Sequence, residues 1–110
     1  MVYTKVNDGI LFISIEDEIR DDTINNLEDE IDYMLYKQGI KYYAFNFNYL
    51  DNFNNNFLNK FENKLTEIFL TCGSVVIYGL KKMNKGIFGK RKDNLYYLDN
   101  KEDINKIINL

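Results

Sequence analysis

The sequence contains no histidine, no proline and no tryptophan, and only one cysteine, Cys72. Each absence removes a class of chemistry. Without histidine, neither a Ser-His nor a Cys-His nucleophile pair can be built. The same lack, with a single thiol, leaves a zinc site without its usual ligands. One cysteine allows no internal disulfide, which fits a reducing compartment. The expectation for Cys72 is a small buried hydrophobic residue. No apolar run approaches the length of a membrane span, since the longest, Ile10 to Ile15, is broken by Ser14. No charged-then-apolar leader is recognisable, so the expectation is a soluble, cytoplasmic protein. No repeat, linker or low-complexity stretch divides the chain, and residues 1–110 are expected to form one domain.

What is present is the balance of a globular chain: 45% hydrophobic and 28% charged residues, with nine Tyr and eight Phe. The abundance of Asn, Lys, Ile and Tyr fits an AT-rich coding sequence without any functional bias. Net charge is only −3, but it is unevenly placed. From Glu16 to Asp32 there are nine acids against one base, Arg20, whereas Lys81 to Lys92 holds six bases and no acid. One part of the molecule therefore attracts what the other repels.

The pattern along the chain alternates strand and helix. Val2 to Val6 is β-rich, and Asn7-Asp8-Gly9 supplies the positive φ of a tight hairpin before a second strand, Ile10 to Ile15. Asp21, Asp22 and Thr23 are N-cap candidates for a helix whose apolar residues Ile24, Leu27, Ile31, Met34 and Leu35 recur at helical spacing. Gly39 is its expected stop. Tyr42 to Tyr49 alternates Tyr43, Phe45, Phe47 and Tyr49 with Ala44, Asn46 and Asn48, which is a strand with one apolar face. A polar loop, Asp51 to Asn56, opens a second amphipathic helix with Phe57, Leu58, Phe61, Leu65, Ile68 and Phe69 inward. Cys72-Gly73 ends it, and Ser74 to Tyr78 reads as a strand. A basic, glycine-punctuated segment follows, with a short helix expected near Met83 to Phe88. Leu95 to Leu98 is a short strand. Asn100 and Asp103 then read as a capping pair for a last helix with Ile104, Ile107 and Ile108 inward. The order β-β-α-β-α-β-(α)-β-α predicts an α/β fold with a mixed, mainly parallel β-sheet and helices mainly on one face.

Two stretches carry a family resemblance. One is the polar turn Arg20-Asp21-Asp22-Thr23 opening the first helix. The other is Phe45-Asn46-Phe47-Asn48-Tyr49-Leu50-Asp51-Asn52-Phe53, a strand ending in a polar loop before the second helix. In element order and in the spacing between these landmarks, the chain resembles the STAS domain of bacterial anti-sigma-factor antagonists over nearly its whole length. The resemblance implies a STAS-like fold and a protein-binding module of a partner-switching regulatory system, not an enzyme. The implied partner is an anti-sigma factor that is also a serine kinase, or a regulatory scaffold. In the family, an Asp-Ser-Ser/Thr-Gly signature at that helix start carries the phosphoacceptor, and phosphate places about two negative charges at the centre of the docking surface. Here the matching residues are Asn54, Asn55, Asn56 and Phe57. The acceptor position is Asn55, and no Ser or Thr lies between Thr23 and Thr66. The resemblance therefore implies binding without the usual phosphorylation control. The candidate docking residues are Asp51, Asn52, Asn54, Asn55, Asn56, Phe57, Asn59, Lys60 and Asn63. A solvated loop in an Asn-rich protein accounts for Asn54 to Asn56 equally well.

Other constellations are weaker. Lys81, Lys82, Lys85, Lys90, Arg91 and Lys92 form a basic patch. Within it, Gly86-Ile87-Phe88-Gly89 resembles the GxxG loop of KH domains, so a nucleic-acid-binding module is the alternative reading. Paired-carboxylate catalysis is a third. Asn52, Asn54 and Asn56 alternate as in a calcium loop, but Phe57 stands where Gly is required and Asn63 where the bidentate Glu belongs. No cofactor, metal or catalytic residue is expected, and the oligomeric state is open.

Overall fold

The structure is a computed structural model that describes residues 2–16, 19–48, 54–80, 94–99 and 101–106. Strand β1 (Val2–Asn7) turns back into β2 (Ile10–Ile15). The turn is the expected one: Asp8 and Gly9 both have positive φ, 53° and 78°, the two left-handed residues that a type I′ hairpin needs. Helix α1 (Asp21–Asp32) runs on into a wider π turn, Tyr33–Lys37, before β3 (Tyr42–Asn46). Helix α2 (Asn55–Leu70) leads to β4 (Ser74–Tyr78), and β5 (Leu95–Leu98) is followed by a 3₁₀ helix, Lys101–Lys106.

The five strands form one sheet in sequence order, with β1 antiparallel to β2 and the pairs β2–β3, β3–β4 and β4–β5 parallel. The order never reverses. Because parallel crossovers are right-handed, successive crossovers that always step the same way place their helices on the same face. Accordingly α1 and α2 share one face with the inward side chains Leu11, Ile13, Ile15, Tyr43, Phe45, Phe47, Val75 and Ile77. The opposite face buries Ile10, Ala44, Val76 and Tyr78 beneath Ile104 of the 3₁₀ helix. Lys101 Nζ sits 4.7 Å above the Phe12 ring on that side, a cation–π contact that ties the 3₁₀ helix to β2. The mixed, mainly parallel sheet and its helices mainly on one face are as the sequence predicts.

Local expectations are corrected at several points; β3 ends at Asn46 and α2 begins at Asn55, each earlier than expected. Cys72 is exposed, not buried. It occupies the left-handed position just past α2, at φ 64°, where its N–H donates to Phe69 O and the Gly73 N–H to Ile68 O at 2.8 Å. The helix end needs that backbone turn, so the side chain is directed outward. Residues Asp21, Asp22 and Thr23 lie inside the first turn of α1 and do not cap it; Arg20 stands at the N-cap position, and no side chain caps the helix there. Asp22 Oδ1 accepts the Thr23 N–H at 2.9 Å, and both acids face the positive end of the helix dipole. The last element is a 3₁₀ helix over its described length, with Ile104 buried and Asn100, Ile107 and Ile108 outside the described residues. The π turn was not signalled by the apolar spacing, which stays compatible with an unbroken α-helix through Leu35. Gly39 ends the helix as expected, at φ 67°, with the Ile40 N–H reaching Met34 O at 2.9 Å.

Candidate functional site

The candidate site is the place where β3 leaves the sheet and α2 begins. The β3 end is pinned twice. The Phe47 N–H donates to Tyr78 O at 2.9 Å, prolonging the ladder by one residue, and Asn46 Oδ1 accepts the Asn48 N–H at 2.9 Å, closing an Asx turn. Gly79 packs under that turn: a Cβ there would run into the Asn48 amide and stand 2.7 Å from the Asn48 nitrogen. The α2 end is pinned by Asn54, the N-cap, whose Oδ1 accepts the Phe57 N–H at 2.7 Å. The helix thus begins at Asn55, inside the stretch expected to be loop.

Beyond the cap the expected residues separate. Asn55 is the first residue of α2 and is exposed, as are Asn56, Asn59 and Asn63 along the same helix. Phe57 does not belong with them. It is 1% exposed, its ring stacked on Phe61 at 5.4 Å and edge-on to Phe47 at 6.3 Å, because position 57 falls on the core-facing stripe with Phe61 and Leu65. Lys60 turns towards α1, its Nζ 3.6 Å from Glu28 Oε1. Asp51 and Asn52 lie outside the described residues, as does the whole basic patch of Lys81, Lys82, Lys85, Lys90, Arg91 and Lys92 with the short helix expected near it.

Further contacts that sequence reasoning missed join the helices. Asn56 Nδ2 donates to Asp21 Oδ1 at 3.4 Å, so the starts of α1 and α2 form one surface. Further along, Lys64 Nζ lies 2.7 Å from Asp32 Oδ1 and 2.8 Å from Glu67 Oε2, and Tyr36 OH donates to Glu67 Oε1 at 3.1 Å. Burial works against the Lys64 ammonium, but its bonds to Asp32 and Glu67 prevail and hold it well above the usual lysine value. The Lys64 bond in turn holds Glu67 below the usual carboxylate value, against an opposing effect of burial and with help from Tyr36. The i,i+3 spacing of Lys64 and Glu67 was the one available signal for this cluster.

The described part of the helix-start surface is thus polar. In open α/β sheets ligands collect where strand order reverses, and the described strands have no such reversal. Among the described residues no three acidic or thiol side chains converge as a metal site would require, and no helix is long and apolar enough to cross a membrane. The arrangement leaves the amide side chains of Asn54, Asn55 and Asn56 exposed around a helix N-terminus.

No protein-family profile matches the sequence, and no curated protein matches it. Solved structures do. The chain superposes on the anti-sigma-factor antagonist SpoIIAA in its unphosphorylated form with a TM-score of 0.80, 12% identity and 97% of each chain covered. This is the STAS fold of the anti-sigma-factor antagonists. The Bacillus cell-fate determinant SpoIIAA in its phosphorylated form matches this STAS-like chain with a TM-score of 0.77, 10% identity, and coverage of 98% of this chain and 100% of the other. A serine-to-glutamate variant of RsbS from Moorella thermoacetica gives a TM-score of 0.76 at 13% identity, covering 92% of this chain and 88% of the other. At such identities the likeness lies in the backbone. The sequence-based recognition of the STAS fold is borne out.

Proposed function

We propose that this STAS-like chain is a protein–protein interaction module of a partner-switching system, docking through the start of α2, and that it works without phosphorylation control. The observation that supports this is position 55: an exposed asparagine on the first turn of α2, directly after its cap, in a chain with the fold of proteins known in unphosphorylated and phosphorylated forms. An amide there is neutral and polar, as an unmodified serine is, and has no hydroxyl to accept phosphate. A partner's surface can hydrogen-bond it, whereas a carboxylate or phosphate at the same place would impose a charge that the partner must desolvate.

Titration calorimetry against the anti-sigma-factor serine kinases of the native cell tests this. The expected outcome is binding of one such kinase by the wild type and at least about tenfold weaker binding by Asn55→Glu, or about 1.4 kcal/mol. Incubation with that kinase and ATP leaves the wild-type mass unchanged, and Asn55→Ser becomes a substrate. Failure of the wild type to bind any of them, or phosphate on the wild-type loop, would overturn the reading.

A further inference from the structure

The outer edge of the sheet at β1 has no strand against it among the described residues, and its residues from Tyr3 to Asn7 are all exposed, Tyr3 by 50% and Val6 by 45%. The hairpin fixes which of its backbone groups are open. A two-residue turn makes Asn7 and Ile10 the pair that exchanges hydrogen bonds, and the alternation of an antiparallel ladder then gives Lys5–Phe12 and Tyr3–Ser14 the same role. The N–H and C=O groups of Val2, Thr4 and Val6 consequently point away from β2. Such a row is a template for another strand.

The sequence of this edge is self-complementary. We propose that β1 pairs antiparallel with β1 of a second copy, centred on Thr4, so that one sheet runs through two copies of the chain. In that register Thr4 faces Thr4, Val2 faces Val6, and Tyr3 faces Lys5. Every outward backbone group of the three open residues finds a partner, as a two-fold interface requires. Threonine pairs and β-branched pairs are favourable cross-strand neighbours, and an ammonium beside an aromatic ring is attracted to it. The one charge on the edge, Lys5, meets a tyrosine and never its own copy, so the usual device against edge pairing is neutralised here. An arbitrary partner strand would have to supply this pattern; a second copy carries it already. The inference is independent of the docking proposed for α2, which lies across α1 from this edge.

Sedimentation velocity over a concentration series of the full chain, with three variants, tests it. The wild type is expected to pass from monomer to dimer with rising concentration. Thr4→Pro removes only an outward-facing N–H, so the hairpin stays intact and the dimer is lost. Thr4→Glu and Thr4→Lys each place like charges face to face and are expected to be monomeric, while an equimolar mixture of the two restores the dimer as a heterodimer. Circular dichroism establishes that each variant is folded. A wild type that stays monomeric up to about millimolar concentration, a dimer that persists in all three variants, or a mixture that fails to associate overturns the proposal.

Discussion

At the scale of single residues, backbone constraints decide more than side-chain preference. Cys72 is exposed although cysteine favours the interior, because the α2 terminus requires a left-handed residue at that point. Gly73 is glycine for another reason: a Cβ would stand 2.9 Å from Lys41 O and 2.5 Å from Ile68 Cγ2, so the helix end can meet the start of β3 only without a side chain. Ser14 shows the opposite situation, a strand residue whose backbone pairs on both sides while its side chain does not. Its hydroxyl is buried in β2 and finds no hydrogen-bond partner among the described residues. A buried polar group left unpaired costs about 1–3 kcal/mol. Ser14→Ala is therefore expected to be neutral or stabilising by up to about 1 kcal/mol, seen as a melting temperature raised by a few degrees in calorimetry. A clear loss of stability would mean that the hydroxyl has a partner.

At the scale of elements, α1 and α2 are held together by side chains far apart in sequence. Lys64 reaches Asp32 across 32 positions and Asn56 reaches Asp21 across 35. Lys64 is the stronger tie, since only 11% of its side chain meets solvent. Lys64→Met keeps the stem and removes the charge, and is expected to cost about 1 kcal/mol at neutral pH, the upper end for pairs that touch water. The pH dependence follows from the directions of the shifts. Glu67 is held below its ordinary value in the folded state, so its contribution is complete above about pH 4.3 and is lost as pH falls through the depressed value. Lys64 is raised, so its contribution is complete below about pH 10.4 and is lost only as pH rises through the raised folded value. Urea unfolding of the two proteins at several pH values should therefore show their difference constant near neutrality and shrinking in acid. A gap that does not change below about pH 4 would assign the effect of Lys64 to packing instead.

At the scale of the whole molecule, one aromatic cluster connects the sheet with α2. The Phe61 ring lies 4.9 Å from Phe45, 5.6 Å from Phe47 and 5.4 Å from Phe57. Phe45 belongs to β3, and Phe47 leads into the candidate site. Phe61→Ala is expected to lose about 3–5 kcal/mol, a large share of the total stability of a small domain. Because the ring serves both layers, fluorescence and circular dichroism should report one shifted transition. Two separated transitions would show that the helix layer and the sheet unfold independently.

Much of this was legible in the residues. The Asp8-Gly9 turn, the alternation from Tyr43 to Phe47 and the Gly39 stop all rest on interactions within a few residues of chain, and local chemistry is sufficient to set them. The element order then implied a mixed, mainly parallel sheet with helices mainly on one face, because handed crossovers leave few arrangements. The candidate site is defined in the sequence only as a place, the start of α2. Its membership was decided by packing: Phe57 was withdrawn into the core by the helical stripe it shares with Phe61, and Lys60 was turned to Glu28, while Asp21 was added through Asn56. Which face Ile104 would cover, and which edge β1 would leave open, were likewise settled only when the strands took their places. A sequence specifies each residue's local conformation through its nearest neighbours. Contacts between distant residues depend on how whole elements pack, and only the tertiary structure makes those pairs.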